Sequence, residues 1–240
     1  MSEKTYGRGQ IEIALWRSFA RASFNRGDIP KVFRTRIKRL MELDSDRDLI
    51  VAEELPEADF AFAAPPSAES GEVAYRAVDA FCLAIGLDLL DAGFKQSEVV
   101  FLMRYLRLDL EERFPDFLTP LKPNNRQRSR AKNDPDLPSD EDRGVQSADR
   151  KVFIVIMKIE LTEIIPSSSR EKFSGPVFHE PTFCTGIAAL GEELNDVMPL
   201  RRRAVTVLEL ASTARAVDAF LKQAPDIRRG RPKTKKARDL

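Results

Sequence analysis

Between Val78 and Leu90 only Asp79, Gly86 and Asp88 interrupt an otherwise continuous apolar run. As a helix this segment is apolar on nearly every side. It has no face to give to water, so it must lie at the centre of its domain with other elements packed around it. Gly93 predicts its end through a left-handed cap. A second helix is expected from Gln96 to Arg113, because Val99, Met103, Leu106, Leu110 and Phe114 recur at helical spacing. Asp109 and Arg113 form an i,i+4 pair on its outer side, and Pro115 and Pro120 predict its end. Gly86 costs about 1 kcal/mol of helix propensity relative to Ala. A close helix crossing is the reason the sequence suggests for it.

Upstream, Ile11, Ala14, Leu15, Phe19 and Ala22 repeat at the helical period and predict a helix over 10–22. Asn25-Arg26-Gly27-Asp28 reads as a turn. Asp28 is expected to cap a second helix that starts at Pro30 and runs to Leu43. Phe33, Ile37, Leu40 and Met41 form its apolar stripe, and Lys31, Arg34, Thr35, Lys38 and Arg39 gather on the other side. Two short helices joined by a tight turn, the second with a basic face, outline a helix-turn-helix. Its second helix would enter the major groove of double-stranded DNA, where Arg holds guanine and Lys neutralises phosphate. The same spacing also fits a solvated basic face over an apolar stripe. Leu49-Ile50-Val51 and Phe60-Ala61-Phe62 are expected to be short strands forming a wing.

Residues 122–149 change character. Leu137 and Val145 are their only large aliphatics, too few to repay the entropy of ordering, so a disordered linker is expected there. It would separate a helical, winged-helix-like domain over 1–121 from an α+β domain over 150–227. In the second unit Val152 to Ile164 predicts a long strand, apolar on both faces as far as Met157 and alternating after it. Pro176-Val177-Phe178 is a candidate partner strand. Helices are expected over Thr185–Val197 and Leu200–Leu221, the second carrying Val205, Leu208, Leu210, Ala211, Ala214, Val217 and Leu221. A lone strand has unpaired edges, and a second copy of the chain would satisfy them. This half therefore reads as a dimerisation or ligand domain, and the chain as a homodimer. The expected fold class is α+β and mainly helical: a helix-turn-helix-like N-terminal domain, a linker and a smaller α/β C-terminal domain.

The 39 basic and 38 acidic side chains nearly cancel, but they are unevenly placed. Residues 1–50 hold 11 basic and 7 acidic residues, net +4, and residues 51–121 hold 5 and 14, net −9. Residues 228–240, a basic tail, hold 7 and 1, net +6. Basic ends suit a polyanion. Within the tail, Arg229-Gly230-Arg231-Pro232 resembles the AT-hook motif. That resemblance implies binding in the minor groove of A·T-rich DNA. Gly230 would let the backbone lie along the groove floor, Pro232 would keep it extended, and Arg229 and Arg231 would enter the narrow, negative groove. A basic tail that aids solubility fits the same residues. The run Gly71-Glu72-Val73-Ala74-Tyr75-Arg76, the apolar helix, Gly93-Phe94 and a helix bearing Glu98-Val99-Val100 are similar to MerR-type winged-helix regulators over about residues 10–114. That similarity implies a recognition helix and a wing ahead of Tyr75-Arg76.

Groups suited to catalysis are few. One histidine, His179, and two cysteines, Cys82 and Cys184, leave no Cys/His set for zinc and no disulfide scaffold. His179 and Cys184 share a segment, yet no third group is in view to orient them as base and nucleophile. Glu53-Glu54, Glu111-Glu112 and Glu192-Glu193 are adjacent pairs, and helix neighbours point about 100° apart, too divergent to flank one substrate. No phosphate-binding glycine loop or nucleophile elbow is present. No apolar stretch follows Met1 and no run reaches about 18 apolar residues, so neither a targeting segment nor a membrane span is expected. Two separate cysteines fit a reducing cytoplasm. The sequence thus points to a sequence-specific DNA-binding transcription regulator without metal, cofactor or catalysis. The alternative is a structural or adaptor protein that binds another protein through its C-terminal domain.

Overall fold

Every residue from Val78 to Leu87, and Leu89 beyond them, is shielded from water. The computed structural model describes residues 4–19, 28–46, 58–64, 73–119, 151–158, 180–197 and 204–225. In chain order these hold α1 (Arg8–Phe19), α2 (Lys31–Asp44), α3 (Ala77–Asp91), α4 (Gln96–Leu118), β1 (Val152–Lys158), β2 (Thr182–Thr185), α5 (Gly186–Val197), β3 (Ala204–Glu209) and α6 (Leu210–Gln223). The fold is α+β and mainly helical. The expected linker over 122–149, the strands at Leu49–Val51 and Pro176–Phe178, and the tail with Arg229, Gly230, Arg231 and Pro232 lie outside the described residues.

α1, α2, α4 and α6 all pack on α3, which is how a helix without a polar face is accommodated. α3 ends as its sequence predicts. Gly93 takes φ +92°, Phe94 N–H donates to Leu89 C=O at 3.0 Å, and Gly93 N–H donates to Leu90 C=O at 3.1 Å. These two bonds make a Schellman cap, which only a residue tolerant of positive φ closes without strain. At the other end the Asp79 carboxylate accepts the Arg76 N–H at 2.6 Å.

α4 runs through Pro115 to Leu118 rather than stopping at Arg113. Pro115 removes one backbone donor, but the extra turn buries Phe117 against Phe81, with ring centroids 5.8 Å apart. Arg215 of α6 donates to the Phe117 carbonyl at 3.2 Å and satisfies that end.

Helices from both sides of residues 122–149 share one core. Leu210, Ala211, Ala214, Val217 and Leu221 of α6 belong to the same buried cluster as Phe81, Leu83 and Leu106. Packing therefore crosses the boundary expected between 1–121 and 150–227. Two backbone contacts reinforce the join within the helical part: Tyr6 and Tyr75 exchange both hydrogen bonds of an antiparallel bridge, at 2.8 and 3.0 Å.

The sheet has the order β2-β1-β3 and is antiparallel throughout. β1 is central, so the expected lone strand with open edges is corrected: its edges are filled by β2 and β3 of the same chain. Ile154 and Ile156 point into the helical core, whereas Phe153 and Val155 face Cys184, Leu190 and Leu194 on the α5 side. Burial on both faces explains why this strand is apolar at successive positions. β3 corrects a second expectation, because Ala204–Glu209 was to open the helix over 200–221. Val205 and Leu208 fit a helical stripe by spacing, but Val205-Thr206-Val207 is also β-branched throughout. Pairing with β1, from Lys158↔Ala204 to Phe153↔Glu209, decides in favour of the strand. The helix begins only at Leu210, where the Glu209 carboxylate caps Ser212 N–H at 2.9 Å.

The expected wing strand Phe60-Ala61-Phe62 is not a strand. Its backbone groups are taken by charged side chains. The Asp44 carboxylate accepts the N–H of Ala61 at 2.9 Å and of Phe62 at 3.0 Å, and Arg107 donates to the Phe62 carbonyl at 3.1 Å. Phe62 is thereby pressed onto α3. A Cβ placed at Gly86 would stand 2.9 Å from Cε1 of that ring and 3.4 Å from Val99 Cγ1. The glycine makes room for an aromatic ring as well as for a helix crossing.

Gly86→Ala should lower stability by about 1–3 kcal/mol in urea unfolding, because overpacking outweighs the gain in helix propensity. Combining it with Phe62→Leu should cost less than the sum of the two single changes. Additive losses would mean that the ring and the glycine are not coupled.

Candidate functional site

α2 has two unlike sides. Ile37 and Leu40 are buried and Phe33 is half-buried, with its ring edge-on to Trp16 at 5.2 Å and to Phe19 at 6.1 Å. These contacts seat α2 on α1. Its C-terminal residue, Asp44, is fully buried and accepts Arg104 Nε at 3.0 Å, while Arg104 Nη2 reaches the Asp44 carbonyl at 2.5 Å. Arg36 bonds Asp91 of α3 at 2.6 Å on one flank. The helix is thus fixed at both ends and along its back.

Lys31, Arg34, Thr35, Lys38 and Arg39 are all exposed on the front, so the structure brings together the five α2 positions singled out in the sequence. They are not equivalent. Arg34 Nε lies 3.5 Å from Oε2 of Glu12, a buried carboxylate of α1 that also pairs with Arg8 at 3.0 Å. Lys38 pairs with Glu42 at 3.3 Å, a surface contact of small net strength. Thr35 Oγ1 donates to the Lys31 carbonyl at 2.8 Å. Lys31 and Arg39 have no ion-pair partner among the described residues.

The start of α2 breaks local helix rules. Asp28, expected to cap it, does not. Pro30 occupies the N-cap position, no side chain caps the first turn, no acid lies in that turn, and Lys31 is the first helical residue. A helix N-terminus carries partial positive charge and prefers acidic neighbours. Here a lysine and an arginine add to that charge. The resulting potential suits an anion laid across the first two turns, and Glu42 bounds it toward the C-terminal end. Sequence reading missed two participants. Glu12 orients Arg34, a link between helices that no local pattern carries. Val32, 67% exposed on the same side, is visible in the sequence only as an apolar residue off the Phe33–Ile37–Leu40 stripe.

A second charged group joins the start of α3 to α4. Arg107 and Arg76 both engage Asp79 and Glu111, with Arg76 Nη2 at 3.1 Å from Glu111 and Arg107 Nε at 3.2 Å. Burial works to raise Glu111, but the two guanidiniums outweigh it and hold its carboxyl below the usual range. Asp88 of α3 is pushed up to about 6 by burial, with the neighbouring Asp91 adding to it. Burial raises the Cys82 thiol to about 12 and raises Cys184 as well, so both are thiols at neutral pH and poor nucleophiles. His179, considered as a partner for Cys184, lies outside the described residues. Among the described residues no helix is long and apolar enough to cross a membrane. Comparison with family models, curated proteins and solved structures returns no match.

Two measurements bear on this geometry. Arg104→Met leaves the Asp44 charge buried and unmatched, and should cost about 3–5 kcal/mol in chemical unfolding. The double change with Asp44→Asn should recover part of that loss; no recovery would mean that the pair does not act as a unit. Asp88 works with the opposite sign to a paired carboxylate. Its folded form holds the proton more tightly than the unfolded chain, whose ordinary value is 3.8, so its contribution is full below about 4 and lost as pH rises through about 6. Asp88→Asn should therefore stabilise the protein by about 1–2 kcal/mol at pH 7.5, with the gain shrinking toward pH 4. A gain independent of pH would remove this account.

Proposed function

We propose that the chain binds double-stranded DNA through the exposed face of α2 and acts as a sequence-specific transcription regulator in the cytoplasm. One observation carries the reading: a helix held rigidly from behind presents Lys31, Arg34, Thr35, Lys38 and Arg39 together, around an N-terminus with neither cap nor acid. A helix of this kind fits the major groove, with its N-terminal residues at the base edges. The resemblance of residues 10–114 to MerR-type regulators agrees with this role for α2. The AT-hook-like Arg229-Gly230-Arg231-Pro232 would add minor-groove contacts from the same molecule, acting through effective concentration. α6 ends beside α1, where Gln10 Nε2 donates to the Ala224 carbonyl at 3.4 Å, so the last described residues of the C-terminal part lie against the helical unit that bears α2. With both cysteines protonated, neither offers a thiolate, which favours a binding protein over a thiol enzyme. As a homodimer, the chain would read a palindromic site, with pairing through the outer edges of β2 or β3 instead of β1.

A second reading has its own support. α5 covers the outer face of the sheet thinly, and Ile187 and Val207 remain 48% and 37% exposed. An adaptor that binds another protein through this face would use them.

Titration of selected duplexes at several salt concentrations separates the two. Lys31→Ala with Arg39→Ala should weaken binding and flatten the log–log salt slope by about 1.8, two phosphate contacts' worth. Arg229→Ala with Arg231→Ala should weaken A·T-flanked sites more than G·C-flanked ones. Binding unchanged by both sets, at every salt concentration, would favour the adaptor.

A further inference from the structure

Phosphate neutralisation accounts for the cations of α2 but not for Val32. It is the most exposed large hydrophobic side chain among the described residues, at 67%. The core-facing positions are taken by Phe33, Ile37 and Leu40, so Val32 contributes little to the packing that holds the helix. Residues three, four and seven positions on lie beside it along a helix, so it borders Thr35, Arg36 and Arg39. A β-branched residue there is also a poorer helix former than alanine. Neither stability nor solubility selects it.

Among the base edges of the major groove one prominent apolar group is displayed, the C5-methyl of thymine. Val32 is the second residue of α2, at the end of the helix that approaches base edges in a helix-turn-helix, while Lys31 and Arg39 flank it with charge for the phosphates. Its branched side chain is stiff at χ1, so two methyl groups are offered in a fixed place at little entropic cost. We infer that Val32 is a specificity-determining residue that packs on a thymine methyl and selects T over C at one position of the site. The inference rests on the DNA reading given above.

The test uses the full chain and a duplex recovered by unbiased selection. Each thymine of that duplex is replaced in turn by deoxyuridine, which keeps every hydrogen bond and removes only the methyl. For the natural chain one replacement should weaken binding about fourfold, the loss of one buried methyl group. In Val32→Ala the same replacement should have no effect, and binding of the thymine duplex should fall to about the level of the uridine one. The side chain is exposed, so the variant keeps its fold, which its unfolding curve verifies. A flat uridine scan, a scan unchanged in Val32→Ala, or a selected site lacking thymine overturns the role of Val32 alone and leaves the DNA reading standing. A selection that enriches no duplex overturns both.

Discussion

A guanidinium inside an apolar core has to be met by acceptors in fixed places, and α4 carries two of them, Arg104 and Arg107, both buried. Arg104 takes the carboxylate and the carbonyl of Asp44 and so fixes where α2 ends. Arg107 takes Asp79, Glu111 and the Phe62 carbonyl, and so fixes the start of α3 and a segment without regular structure. Buried ion pairs add little net stability compared with apolar replacements of the same shape. What these contribute is register. Three separate stretches of chain are referred to one helix, and the exposed face of α2 takes its direction from that reference.

The same two arginines explain how residues 58–64 belong to the core without being helix or strand. Backbone groups removed from water need partners, and a ladder is only one way to supply them. Here Asp44 and Arg107 supply them, and Phe62 is delivered to the notch at Gly86. A glycine that is poor for an isolated helix is therefore consistent with the assembled core.

Much of the central packing was legible in the sequence because it is written locally. The nearly continuous apolar run of α3, the glycine at Gly93 and the spaced stripe of α4 each report a rule that acts over a few residues. The front of α2 was legible for the same reason. What escaped depends on partners distant along the chain. Val205 to Leu208 satisfy two periods at once, and only β1 selects between them. Phe60-Ala61-Phe62 looks like a strand until Asp44 and Arg107 are seen to hold its backbone. The brace between Glu12 and Arg34 joins two helices across a turn. α6 has the stripe of a surface helix, and nothing within it says that its apolar side belongs with α1, α3 and α4.

That last placement has a consequence in time. On a ribosome adding roughly 5–20 residues per second, the roughly 90 residues between the end of α4 and the start of α6 take roughly 5–20 s. For that interval α3, the most apolar helix among the described residues, stands without one of the helices that cover it. Its contacts with α6 span more than a hundred positions, and closures of that length are slow to form. The nascent chain therefore passes through a stage in which its centre is complete in sequence but open in space. Such a surface is what holding chaperones bind, and what a second nascent chain of the same kind would meet if none were present.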